Sequence, residues 1–141
     1  MSRHIAMRFS AIGGTAAGLG RADSGLSLIA DRPDGAAGGR GLGFNGGQLL
    51  GAALGGCFWN DLHYAAEAEK VAVKVEAVET DLELAGTPPR VVRARITARL
   101  GGNDDPALQR VFDAACAAST IANSIAPAIQ ISFERTSGGA A

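Results

Sequence analysis

Two cysteines, Cys57 and Cys116, are the side chains of this sequence best suited to bond-making chemistry. Cys57 follows the small-residue run Gly51-Ala52-Ala53-Leu54-Gly55-Gly56, and Cys116 sits in Ala114-Ala115-Cys116-Ala117-Ala118-Ser119. Both stretches have helical composition. Thiols on two facing helices can act as attacker and resolver toward a peroxide. A thiolate attacks one peroxide oxygen, the alcohol leaves, and the sulfur becomes a sulfenic acid. A second thiol then condenses with it to a disulfide, which a reductant must reopen. That bond needs Cα atoms roughly 4.4–6.8 Å apart. The competing reading of both residues is as small buried core side chains, the commonest fate of a free cysteine.

A reactive thiol needs a positive neighbourhood. Cys57 lies about three turns into its helix, beyond the reach of the N-terminal dipole. Asp61, one turn later, shares its face, and no Lys or Arg precedes Lys70 on the helix. The cation must therefore come from elsewhere, and Arg21 and Arg40 are the candidates, each weighed against a solvated surface arginine. Cys116 lies toward the C-terminal end of its helix, where the dipole disfavours a thiolate and a resolving role fits better. His4 and His63 are the only histidines and there is no Cys-x-x-Cys pair, so a zinc site is not indicated. Ser119 and Thr120 read as helix-end hydroxyls, with no His or Lys nearby to activate them.

The elements that must hold these residues follow from periodicity. Ile5, Met7, Phe9 and Ala11 alternate with polar residues as a half-buried strand. Weaker strands follow over Thr15 to Arg21 and Leu26 to Ala30, and Arg32 to Gly43 is a Pro/Gly loop. Asn45 with Gln48 three residues on forms a capping box for a long helix from Gly46 to about Lys70, free of proline and β-branched residues. It is apolar nearly all round up to Trp59, as a buried central helix would be. Val71 to Leu84 and Val92 to Leu100 alternate as an antiparallel hairpin, with a bulge expected near Ala77-Val78. Asp104-Asp105-Pro106 opens a second helix, buried through Leu108, Val111, Phe112 and Ala115 and broken over Asn123 to Pro127. Ile129 to Phe133 is a last strand and Ser137 to Ala141 a loose tail. Strands and helices in separate runs give an α+β fold with antiparallel sheets.

The chain has 141 residues, enough for one domain over 1–141 with its own core. A net charge of −1 gives no electrostatic case for nucleic acid or a membrane surface. The run from Leu49 to Trp59 is too short to span a bilayer, which needs roughly 20 residues. With no apolar leader in Met1 to Ile5, a cytoplasmic protein with reduced thiols is expected. Gly41-Leu42-Gly43-Phe44-Asn45-Gly46 matches the dinucleotide fingerprint G-x-G-x-x-G, but loop rather than strand precedes it. Of the 20 glycines, 15 crowd between Gly13 and Gly56, where they mark turns and close backbone contacts.

The glycine-rich loop, Gln48-Leu49-Leu50, the small-residue helix with Cys57-Phe58, and Ala115-Cys116 with Ser119 three residues on together resemble the OsmC/Ohr family, the osmotically inducible and organic-hydroperoxide-resistance proteins. The resemblance covers most of the chain. It implies an intertwined homodimer with central long helices and two sites at the interface. It implies a cofactor-free thiol peroxidase for organic hydroperoxides, an antioxidant stress-response role, and recycling by a dithiol reductant such as a lipoyl protein. By the same resemblance Cys57 attacks and Cys116 resolves. The sequence departs from the family pattern at three places: Gly47 stands where a Glu usually opens the long helix, Thr15 follows Gly13-Gly14 where an Arg is usual, and Ala117 replaces a Pro after the second cysteine. The alternative is therefore a non-catalytic OsmC-like dimer that binds a small apolar ligand.

Overall fold

The structure, a computed structural model, describes residues 1–140; Ala141 lies outside the described residues. The chain divides into two compact units, Met1–Leu49 and Leu50–Ala141.

The first unit is a three-stranded antiparallel sheet, β1 (Met7–Ala11), β2 (Gly18–Ala22) and β3 (Ser27–Ala30), in that order. β2 starts later than its sequence pattern suggests because Thr15 is spent on the turn. Its hydroxyl donates to the Ile12 carbonyl (2.9 Å) and accepts from the Ala17 amide (3.1 Å). Phe9 lies across β2, where a Cβ on Gly20 would come within 2.7 Å of its ring. The loop that follows is organised by Asp31, whose buried carboxylate accepts from the amides of Arg32 (2.9 Å), Arg40 (3.0 Å) and Leu42 (3.1 Å). The G-x-G-x-x-G segment is part of this loop. It runs beside β3, with the Phe44 amide donating to Ile29 (2.8 Å), and a Cβ on Gly43 would collide with the Ile29 carbonyl.

The capping box forms as its sequence requires: the Gln48 amide donates to Asn45 Oδ1 (2.9 Å) and the Asn45 amide to Gln48 Oε1 (3.0 Å). It opens α1 (Gly46–Glu69). The second unit adds β4 (Lys74–Ala85), β5 (Arg90–Gly101), α2 (Asp105–Ala118), α3 (Thr120–Ile125) and β6 (Gln130–Ser137). β4 and β5 form the expected antiparallel hairpin, with the register slipping at Val75/Ala77, slightly earlier than its sequence suggests, and again at Glu83/Leu84. β6 pairs with β5 in parallel, because the intervening helices carry the chain back over the sheet. The strict alternation of β5 sends Ala94, Ile96, Ala98 and Leu100 inward. Arg93 and Arg99 point outward and reach Glu83 and Glu76 at 2.8 Å each.

Leu54, Phe58 and Leu62 of α1, the inward side of β5, and Val111, Phe112 and Ala115 of α2 form one core. Phe58 is its centre, edge-on to Phe112 (ring centroids 5.8 Å) and tilted on Phe133 (5.0 Å). Gly51 and Gly55 let α1 lie close on β4, since a Cβ on either would meet Thr80 at 3.1–3.2 Å. The opposite face of α1, with Ala52, Ala53, Gly56 and Trp59, is open in the single chain. The C-terminal segment is more ordered than a loose tail. The Gly138 amide donates to the Leu100 carbonyl (2.7 Å), and the Gly139 amide to Glu76 Oε1 (2.6 Å).

Candidate functional site

Cys57 is half-buried on α1, one residue before the core ring of Phe58. Two polar side chains reach its sulfur. The thiol donates to Asp61 Oδ2 at 3.4 Å, the (i, i+4) contact that the helical repeat requires. From another element, Ser119 Oγ donates toward the same sulfur at 4.0 Å.

Ser119 has no exposure and stands where the second helical stretch breaks. α2 begins as its sequence demands, with Asp104 accepting from the Ala107 amide (3.1 Å) and Pro106 in the first turn. It stops at Ser119, whose backbone is extended (φ −62°, ψ 99°), and α3 restarts at Thr120. The side chain of Ser119 makes no capping bond to α3. Sequence reasoning placed the break at Asn123 to Pro127, and α3 does end there, at Ile125: Ala126 still has helical backbone angles (φ −51°, ψ −34°), but Pro127 has no N–H with which to continue the ladder. The earlier break has no proline or glycine to announce it.

Cys116 lies one turn before that break, half-buried, and packs against the core. Burial first, and the Asp113 carboxylate second, push its thiol from 9.0 up to about 12. At neutral pH it is a neutral thiol. Neither cysteine is in a disulfide. Ser119 thus brings the end of the Cys116 helix to the Cys57 sulfur.

Arg21 lies on β2 and Arg40 in the Asp31 loop, both exposed. Neither has a carboxylate partner among the described residues, and the Arg40 backbone amide is held by Asp31. In the same unit the sequence reading missed Arg32. Its guanidinium donates to the Ala16 carbonyl (2.6 Å) and to Asp31 (3.1 Å), leaving its Nε without a partner. The amides of Leu42 and Arg40, more than the Arg32 charge, hold the Asp31 carboxyl below its ordinary 3.8. Arg32 and Thr15, with Phe9 and Phe44, line an open cleft of about 540 Å³. The adjacent Asp31-Arg32 pair ahead of Pro33 was the available signal, but nothing in sequence shows that the carboxylate is buried.

The family-level comparison settles the fold's kinship. The model of the OsmC-like protein family matches residues 38–134, most of the second unit together with the loop and cap that lead into α1. The chain belongs to the OsmC-like protein family. Solved structures of the same fold include the organic hydroperoxide resistance protein OhrB of Bacillus subtilis, at 21% identity over 93% of this chain and 98% of that one, with a TM-score of 0.67. An organic hydroperoxide resistance protein from Elizabethkingia anophelis matches at 18% identity over 98% of this chain and 100% of that one, TM-score 0.74. An OsmC-like protein of unknown function from Vibrio cholerae matches at 14% identity over 96% and 100%, TM-score 0.73. At such identities these likenesses establish the fold alone. No curated protein matches the sequence. Among the described residues, no helix is long and apolar enough to cross a membrane.

Proposed function

We propose that this OsmC-like protein is a thiol-dependent peroxidase that reduces organic hydroperoxides, Cys57 attacking and Cys116 resolving, in a single OsmC-like domain over residues 1–141. The observation that carries the reading is the approach of Ser119 to the Cys57 sulfur, which brings the end of α2, the helix of Cys116, to the middle of α1, the helix of Cys57. The environments divide the roles. Cys116, desolvated and beside Asp113, is the poorer first nucleophile, while Cys57 is half-buried with a polar surround. The names of the hydroperoxide-resistance proteins of the same fold point to the substrate class. Arg21 and Arg40, exposed and without carboxylate partners among the described residues, are the candidate cations for the thiolate.

A homodimer in the cytoplasm, recycled by a dithiol such as a lipoyl protein, completes the proposal. Its support is the apolar surface that one chain leaves open: Ala52, Ala53 and Trp59 on α1, and Met7 and Phe9 on β1 at 46% and 50% exposure. The second reading, an apolar-ligand binder without turnover, is favoured by the cleft walled by Phe9 and Phe44, whose volume is in the range of small-molecule sites.

Thiol counting after one equivalent of an alkyl hydroperoxide decides between them. The peroxidase loses both thiols in the wild type and traps a sulfenic acid on Cys57 when Cys116 is serine. Unchanged thiols, with the hydroperoxide or its alcohol bound, establish the binder.

A further inference from the structure

Among the described residues, the groups hydrogen-bonded to the Cys57 sulfur are a carboxylate and a hydroxyl. Asp61 Oδ2 accepts the thiol proton at 3.4 Å, and Ser119 Oγ donates to the sulfur at 4.0 Å from the opposite element. Asp61 is one helical turn from Cys57 on a helix with no interruption between them, so the pair is held in register by the backbone. Ser119 is fully buried at a helix break whose capping its hydroxyl does not serve, and the Cys57 sulfur is the partner the hydroxyl has. A buried hydroxyl needs an acceptor, and the sulfur is the one within its reach.

We propose that Asp61 is the general base for Cys57 and that Ser119 is the positioning residue that holds the sulfur as charge builds on it. The proposal rests on the reading of Cys57 as the attacking thiol. The S–H bond breaks and its proton passes to the Asp61 carboxylate. The sulfur lone pair attacks the terminal oxygen of the hydroperoxide, an S–O bond forms, and the O–O bond breaks with its electron pair leaving on the alkoxide. The alkoxide takes the proton from Asp61 and departs as the alcohol. Cys57 is oxidised to the sulfenic acid, the peroxide is reduced, and Asp61 is returned as a carboxylate with nothing else consumed. The Ser119 hydrogen bond is long to a neutral thiol and strengthens on a negative sulfur, as charge-assisted bonds do, so it acts where the reaction needs it. A carboxylate beside a sulfur that must become negative otherwise only opposes it, and this opposition makes the proposal easy to overturn.

The test uses the full chain with Cys116→Ser, so that Cys57 is the only thiol. Two rates are followed: sulfenic acid formation with an alkyl hydroperoxide, and alkylation by iodoacetamide, which also needs the proton removed but involves no peroxide. Asp61→Asn keeps size and a hydrogen-bond acceptor but cannot take the proton; both rates fall tenfold or more. Ser119→Ala lowers both about fivefold with the urea midpoint still showing a folded protein, and Ser119→Thr, which restores the hydroxyl, recovers most of the loss. Rates in Asp61→Asn equal to or faster than those of the wild type overturn the base. An unrescued loss in Ser119→Thr in a protein that remains folded overturns the positioning role. Should no hydroperoxide oxidise Cys57 while the alkylation order holds, the peroxidase reading fails and the Asp61 assignment stands.

Discussion

The division of labour between the thiols turns on Cys116, and its reactivity can be worked out in advance. Its thiol is pushed from 9.0 up to about 12 by burial and by Asp113. At neutral pH the thiolate fraction then falls roughly a thousandfold below that of an ordinary cysteine, one decade for each pH unit. Part of this is recovered, because a more basic thiolate is a better nucleophile, with a Brønsted slope of about 0.4–0.5. Over the same interval that slope returns roughly 15- to 30-fold, leaving Cys116 about 30- to 60-fold slower than an unhindered thiol. The assay is iodoacetamide labelling of Cys57→Ser at pH 7.5, native and in strong denaturant, which makes the same thiol its own reference. Asp113→Asn should narrow the gap without closing it, since desolvation is the larger cause. The linkage has a definite sign. Between pH 9 and about 12 the unfolded chain loses this proton first, so the contribution of Cys116 to stability is intact below pH 9 and declines as pH rises through that window. Native labelling within about threefold of the denatured rate, far short of the Brønsted expectation, would refute the argument and remove the reason for assigning first attack to Cys57.

Three further outcomes test the frame around the site. Phe58→Ala deletes a fully buried ring packed on Phe112 and Phe133, and should cost about 3–5 kcal/mol in urea unfolding; a loss below about 2 kcal/mol would mean the core closes over the gap. Asn45→Ala removes one side of the α1 capping box and should lower stability by about 0.5–2 kcal/mol, with Gln48→Ala adding less than its own single effect because the two bonds are reciprocal. The Asp31 carboxyl, held below 3.8 by amides, contributes stability above that pH and loses it as pH falls through its lower native value; the Arg40 and Leu42 amide resonances should therefore shift together with a midpoint below 3.8, and a midpoint at or above it would contradict the cradle.

What the sequence disclosed was what short-range chemistry decides. Asn45 with Gln48, Asp104 with Pro106, and the alternation of β5 each carry their instructions within a few residues, and each element forms where those residues put it. The parallel pairing of β6 was not visible, because Ile129 to Phe133 alternates identically whichever way the strand runs. The break at Ser119 was hidden for a related reason. Ala114 to Ala118 is good helix on either side of any boundary one draws, and the contact Ser119 makes from the break is with a residue far back in the chain. Reading Ser119 as a helix-end hydroxyl was right about where it sits and silent about what it touches. Asp61 was legible as a neighbour of Cys57 from the helical repeat, whereas Arg32 and the buried Asp31 required the loop's path to be known.

The same contact links the packing of the second unit to its chemistry. Gly51 and Gly55 set how deeply α1 settles on β4, and Phe58, wedged against Phe112, sets how α2 lies beside α1. Cys57 adjoins Phe58 in sequence, and Ser119 stands at the C-terminal end of the helix that carries Phe112, so the contact between these two rings bears on how the hydroxyl meets the sulfur. A shift of even 1 Å between the two helices would carry the Ser119 hydroxyl out of reach of a sulfur already 4.0 Å away, while the Asp61 contact, internal to α1, would survive. Volume changes at the glycine face of α1 should therefore disturb the hydroxyl before the carboxylate, and reactivity before stability. A Gly55→Ala chain, whose added Cβ meets Thr80 at 3.2 Å, is the mildest way to impose that shift.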